Sequence, residues 1–125
     1  MQYIEETSKS VAEVVAKIEE RISEYKFGIL HIHNVKETLI SKGVDFKNEC
    51  QVLDICNPSY ANELLSGDMS LSVIIPCKIS VYEEDGQTFI AMNSVSQLVD
   101  DINPDFIETA QEINSTLLKL IDEVK

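Results

Sequence analysis

A β-rich stretch between two amphipathic helices predicts an α+β domain. Three observations carry this expectation. Residues 49–94 hold the densest run of β-branched residues, all three cysteines and two of the three prolines. Asp85-Gly86 within that stretch is a strong two-residue hairpin signal, because both turn positions need φ > 0. The segments on either side, near 11–25 and 104–123, place apolar residues at steps of three and four, the helical period.

The elements follow in order. Tyr3 to Thr7 reads as a first strand. Ser10 stands three residues before Glu13, the capping-box spacing, and predicts a helix from Val11 to Tyr25. Val11, Val14, Val15, Ile18, Ile22 and Tyr25 form its apolar face. Gly28 closes that unit. Ile29 to His33 alternates, which predicts a second strand with Leu30 and Ile32 on one face and His31 and His33 on the other. Asn34 caps a short helix over Val35 to Ser41, with Glu37 at the capping-box position and Gly43 as its left-handed terminator. Cys50 to Cys56 is a third strand, with Leu53 and Ile55 facing one way and Cys50, Val52, Asp54 and Cys56 the other.

Asn57-Pro58 starts another helix: Asn57 caps, and Pro58 sits in the first turn, where its missing N–H costs nothing. It is expected to reach about Leu65. Leu71 to Glu83 is expected as a fourth strand interrupted at Pro76, by a bulge, an edge position or the true strand start. A two-residue loop at Asp85-Gly86 would pair Val81 with Ile90, Ile79 with Met92 and, on the opposite face, Tyr82 with Phe89. Ser94 to Ile102 is a weak short helix or a turn. Asn103-Pro104 repeats the cap-plus-proline start, and the last helix carries Ile107, Ala110, Ile113, Leu117, Leu120, Ile121 and Val124 as one stripe. The expected organisation is a single domain over 1–125, its core in 1–94 and a C-terminal helix at about 104–123.

Composition narrows the function classes. The chain has 125 residues and a net charge of −12, from 10 Lys and Arg against 22 Asp and Glu. Such a surface repels phosphate backbones and anionic lipid, so neither nucleic acid nor membrane is expected as a partner. Three cysteines, an odd number, argue against a disulfide framework. Met1 to Thr7 offers no long apolar run, so a reducing cytoplasm is the expected setting.

The chain resembles the domain-of-unknown-function 302 family. The resemblance rests on Cys56-Asn57-Pro58 after a hydrophobic strand, on Ile75-Pro76-Cys77-Lys78-Ile79-Ser80-Val81-Tyr82-Glu83, on Asp85-Gly86, and on the amphipathic first helix before Phe27-Gly28. It covers the chain to about Ser94; the last helix fits by position. Cys56 and Cys77 stand where many members carry Gly and Leu. The resemblance implies an architecture similar to half of a TATA-binding protein: a curved antiparallel sheet of four to five strands in β-α-β-β-β-β-α order, with short inserted helices, helices packed on one face, and often a homodimer. It implies no established activity, and the fold likeness does not import DNA binding.

The expected function is therefore a non-catalytic, homodimeric small-molecule-binding or interaction domain. A sheet covered on one side only would expose Tyr82 and Phe89, and exposed apolar patches of this kind are commonly buried by a partner. The candidate ligand-binding residues are His31, His33, Asp54, Cys56, Asn57, Tyr82 and Phe89. The alternative is a metal-binding or thiol-redox protein. If strands two and three are neighbours, His31, His33, Asp54 and Cys56 share one face, and two imidazoles, a carboxylate and a thiol are all acceptable zinc ligands. No other cofactor is expected. Cys56 precedes a helix N-terminus, where the dipole favours thiolate, so a lowered thiol pKa is expected there. An enzyme acting on a small anion at that N-terminus is the weakest reading, since no sequence motif assigns a reaction.

Overall fold

The Asp85-Gly86 turn sets the register of the sheet. In a computed structural model describing residues 1–125, strands β4 (Cys77–Glu84) and β5 (Gln87–Asn93) are joined by these two residues alone, with Glu84 opposite Gln87. Asp85 has φ 52° and Gly86 φ 77°, the left-handed values that match the turn to the twist of its strands. Val81 lies opposite Ile90 and Tyr82 opposite Phe89, the pairing the sequence predicts.

Three further strands complete the sheet. β1 (Gln2–Thr7) pairs with β5, β3 (Cys50–Cys56) with β4, and β2 (Gly28–Asn34) with β3. The order is β1-β5-β4-β3-β2 and every neighbouring pair is antiparallel. The sheet is open, and the fold is mixed α+β, as expected.

Helices cover one face. α1 (Val11–Arg21) starts at a full capping box between Ser10 and Glu13 and continues as a 3-10 turn over Ile22–Tyr25. α2 (Val35–Ser41) is capped by Asn34, α3 (Pro58–Gly67) by Asn57 and α4 (Val95–Ile102) by Ser94. α5 (Ile107–Val124) follows a 3-10 turn at Pro104–Phe106. Val14 and Ile18 of α1 and Leu117 and Leu120 of α5 are buried with Leu53, Ile55, Ile79, Val81 and Ile90 of the sheet in one cluster. Each such side chain contributes about 1.5–3 kcal/mol on burial. α5 therefore belongs to the core itself, which does not end near residue 94.

Two expectations are corrected. Leu71 to Ile75 is not strand. Asp68 accepts from the Ser70 amide and starts a 3-10 turn over Met69–Ile74 that buries Leu71. A cis Ile75–Pro76 bond follows, and β4 begins at Cys77. Pro76, which has no N–H to give a ladder, thus marks the true strand start. In β2, Leu30 does not face the helices. Ile29 lies opposite Ile55 and Ile32 opposite Leu53, with a register shift between Ile29 and His31. Two isoleucines three positions apart can share a face only across a bulge. Leu30 is the extra residue and is 65% exposed.

Candidate functional site

Strand alternation gives the sheet a second face without a buried core. From the registers, it carries Ile4 and Glu6 of β1, Phe89 and Ala91 of β5, Lys78, Ser80 and Tyr82 of β4, Cys50, Val52 and Asp54 of β3, and His31 and His33 of β2. Only α2 touches its margin, where His33 Nε2 lies 3.1 Å from Thr38 Oγ1. The Tyr82 and Phe89 rings stack with centroids 5.4 Å apart, and both are half-buried. Ile4, opposite Ala91, is 50% exposed.

His31, Asp54 and Lys78 form a cross-strand row on this face. Lys78 Nζ donates to Asp54 Oδ1 at 2.5 Å. The His31 and His33 rings are 6.2 Å apart between centroids and tilted by 30°. His31, His33, Asp54, Tyr82 and Phe89 thus lie on one surface.

Cys56 does not join them as a ligand. It lines an apolar cavity with Cys77, at the end of the sheet where β3 runs into α3. No group of three or more His, Cys, Asp and Glu side chains is placed to hold a metal ion. The four residues proposed as one ligand set are not assembled. Asp54 is turned to Lys78, His33 to Thr38, and Cys56 stands beside the cavity. Asn57 is likewise occupied: its Oδ1 accepts from the amides of Ser59 and Tyr60 at 2.9 and 3.2 Å. The backbone donors that made this N-terminus a candidate anion site are partly satisfied by its own cap.

The cavity is small, about 20 Å³, and its other walls include Phe27, Tyr60, Leu64 and Ile113. The Phe27 and Tyr60 rings lie 6.2 Å apart. Burial pushes the Cys56 thiol up, opposite to the lowering expected at a helix N-terminus. Desolvation outweighs the dipole, because an apolar wall penalises the thiolate. Cys77 is pushed up to about 11, first by burial and then by the neighbouring charge of Cys56. A cleft of about 220 Å³ adjoins, sharing Ile74, Cys77 and Val95 with the cavity and opening between Pro76, Asn93 and Leu98. Sequence reasoning did not find this pairing of Cys56 with Cys77. The signal needed was the adjacency of β3 and β4, which sets Cys77 opposite Ile55.

Comparison with known proteins gives one consistent result. The family model described as "Domain of unknown function DUF302" matches residues 3–124, which includes α5. A solved structure described as an uncharacterized conserved protein DUF302 from Bacillus stearothermophilus superposes with a TM-score of 0.94. It is 32% identical, and the alignment covers 99% of this chain and 98% of that one. No curated protein matches.

Proposed function

The chain belongs to the DUF302 family, and from that premise we propose that it is a non-catalytic domain that pairs with a second copy through the uncovered face of its sheet. The observation that carries this reading is the Tyr82–Phe89 stack on a face no helix buries. That aromatic pair, with the half-exposed Ile4 on the same face, forms the kind of apolar centre that anchors interfaces. A two-fold pairing would set the patch against itself.

Charge supports a second copy as the occupant. Two chains of net charge −12 repel strongly unless the facing surfaces are the least acidic ones. The uncovered face carries only three carboxylates, Glu6, Asp54 and Glu84, and one ammonium, Lys78. Most of the acidic residues lie elsewhere.

Size sets the strength. Five strands at about 4.8 Å spacing and seven residues at about 3.4 Å give a face about 20 Å on each side. That is about 400 Å², half of the roughly 800 Å² per partner usual for a stable interface, and in the range of weak, transient ones. The pair is therefore expected to exchange at micromolar concentration. Closed by a second copy, His31, His33, Asp54 and the two rings would line a shared space for a small ligand. Sedimentation velocity across a micromolar concentration series tests the pairing. A growing dimer boundary supports it, and a clean monomer at the highest concentration removes it.

A further inference from the structure

The geometry points to an acid-rimmed apolar cleft, between the 3-10 turn Met69–Ile74 and α4, as the docking site for a basic amphipathic segment of another protein. The cleft, about 220 Å³, lies where two neighbouring strands part. The β4–β5 pairing stops at Ser80 and Ala91. β4 nevertheless begins three residues earlier, at Cys77, held by β3, and β5 runs on to Asn93, held by β1. Cys77, Lys78 and Asn93 all line the opening.

An apolar stripe leads out of it. Val73 and Leu98 both line the cleft. Asp68, which starts the 3-10 turn, accepts from Asn103 Nδ2 at 2.9 Å, and Asn103 directly follows α4. That bond brings Met69 and Ile102, the residues beside its two ends, to the same margin. Met69 is 69%, Val73 78% and Ile102 36% exposed. An exposed apolar patch of this kind marks an interaction site. The cleft is smaller than the roughly 300 Å³ at which small-molecule pockets begin. It suits one large apolar side chain, the anchor of a protein partner.

Charge chooses the partner. Asp68 precedes Met69, Asp101 lies one helical turn from Leu98, and Asp105 follows the end of α4. Asp68 is held below the usual carboxylate range, first by the Ser70 hydroxyl and then by Asn103, so it is an anion at neutral pH. From residue 48 to residue 118 the chain has one cation, Lys78, and its Nζ is paired with Asp54. A second copy, itself at −12, is repelled by such a rim. Nucleic acid is repelled for the same reason. A segment with Lys or Arg beside an apolar face meets both features, as an amphipathic helix does when it lays that face into a groove.

The test uses the full chain and a labelled model peptide with Leu at positions i, i+3, i+4 and i+7 and Lys elsewhere, read by fluorescence anisotropy at low salt. Saturable binding of one peptide per chain is expected, with amide shifts in nuclear magnetic resonance confined to residues 68–78 and 93–105. Val73→Ser, at an exposed position that leaves the core intact, should weaken binding about tenfold, the equivalent of one buried valine. Asp101→Asn and added salt should each weaken it severalfold. Val44→Ser, at a half-exposed valine outside the patch, should match wild type. A peptide of the same composition in scrambled order should bind at least about tenfold more weakly, because its apolar face is gone. Equal binding of the two peptides, or a Val73→Ser protein that binds as wild type does, would leave charge attraction alone and overturn the assignment. Altered sedimentation of the peptide-free protein on Val73→Ser would also overturn it, by placing a second copy in the cleft. Met69, Val73, Leu98 and Ile102 lie off the uncovered sheet face, so these outcomes do not depend on the pairing proposed there.

Discussion

Replacing Gly67 by alanine sets two backbone effects against each other, and the structure decides the sign. Gly67 is the last residue of α3. A Cβ there would lie 2.0 Å from Phe106 Cζ and 2.5 Å from Cε1. Carbon atoms rest at about 3.5–4.0 Å, so the ring must retreat by about 1.5–2 Å. Phe106 ends the 3-10 turn that leads into α5 and packs against the core, so retreat disturbs both. Forced repacking of this kind costs about 1–3 kcal/mol. Alanine in place of glycine would otherwise help a helix by up to about 1 kcal/mol. The net expectation is a loss of about 1–2 kcal/mol, or roughly 3–10 °C in melting temperature for a chain of this size. Thermal and urea unfolding followed by circular dichroism would measure it. On a Phe106→Ala background the clash is gone, and the same substitution should become neutral or stabilising. A Gly67→Ala protein as stable as wild type, or an equal loss on both backgrounds, would refute the reasoning.

Other consequences follow from named contacts. Ser10→Ala removes the acceptor for the Glu13 amide, 3.1 Å away, and should cost about 1 kcal/mol in urea unfolding. Glu123 is held below the ordinary carboxylate range, first by the Tyr25 hydroxyl and then by Arg21. A depressed folded pKa contributes stability above the unfolded value, about 4.3, and loses it as pH falls through the folded one. Glu123→Gln should therefore be less stable than wild type at neutral pH, and the gap should close in acid below about pH 4; a gap that stays constant in urea titrations would contradict this. Cys77, pushed up to about 11, should be the slowest of the three cysteines to alkylate at pH 8, as read by peptide mass spectrometry.

Local rules made much of the fold legible. The Asp85-Gly86 turn specified the register of β4 and β5, because a two-residue loop leaves no freedom in pairing. The Ser10–Glu13 box and the caps at Asn34, Asn57 and Asn103 marked helix starts, since each satisfies donors only a helix start leaves free. Periodicity misled where tertiary packing overrode it. Leu30 and Ile32 fit strict alternation, yet the bulge turned Ile29 inward to meet Ile55. The apolar run Leu71 to Ile75 had strand composition, but the Asp68 cap and Pro76 bracket it as a 3-10 turn. Composition cannot separate a short buried strand from a short helical turn.

The site was legible in part. Alternation alone sends His31, His33, Asp54, Tyr82 and Phe89 to one face once the strands are adjacent. It says nothing of where the side-chain tips go, and Lys78 and Thr38 engage two of them. For Cys56 the dipole argument failed because the sequence does not show the apolar cavity that desolvates the thiol.

The pairing of two copies is tested most directly by Phe89→Glu. Phe89 lies on the uncovered face, stacked on Tyr82, so a carboxylate there would meet its own copy across the two-fold axis while leaving the core intact. Loss of a central aromatic anchor costs about 2 kcal/mol or more in binding, a dissociation constant weakened about 30-fold. Sedimentation equilibrium of wild type and variant at matched micromolar concentrations should show a concentration-dependent dimer for the first and a monomer for the second, with the same far-ultraviolet circular dichroism. A wild type that stays monomeric, or a folded Phe89→Glu protein that dimerises as wild type does, would contradict the proposed interface.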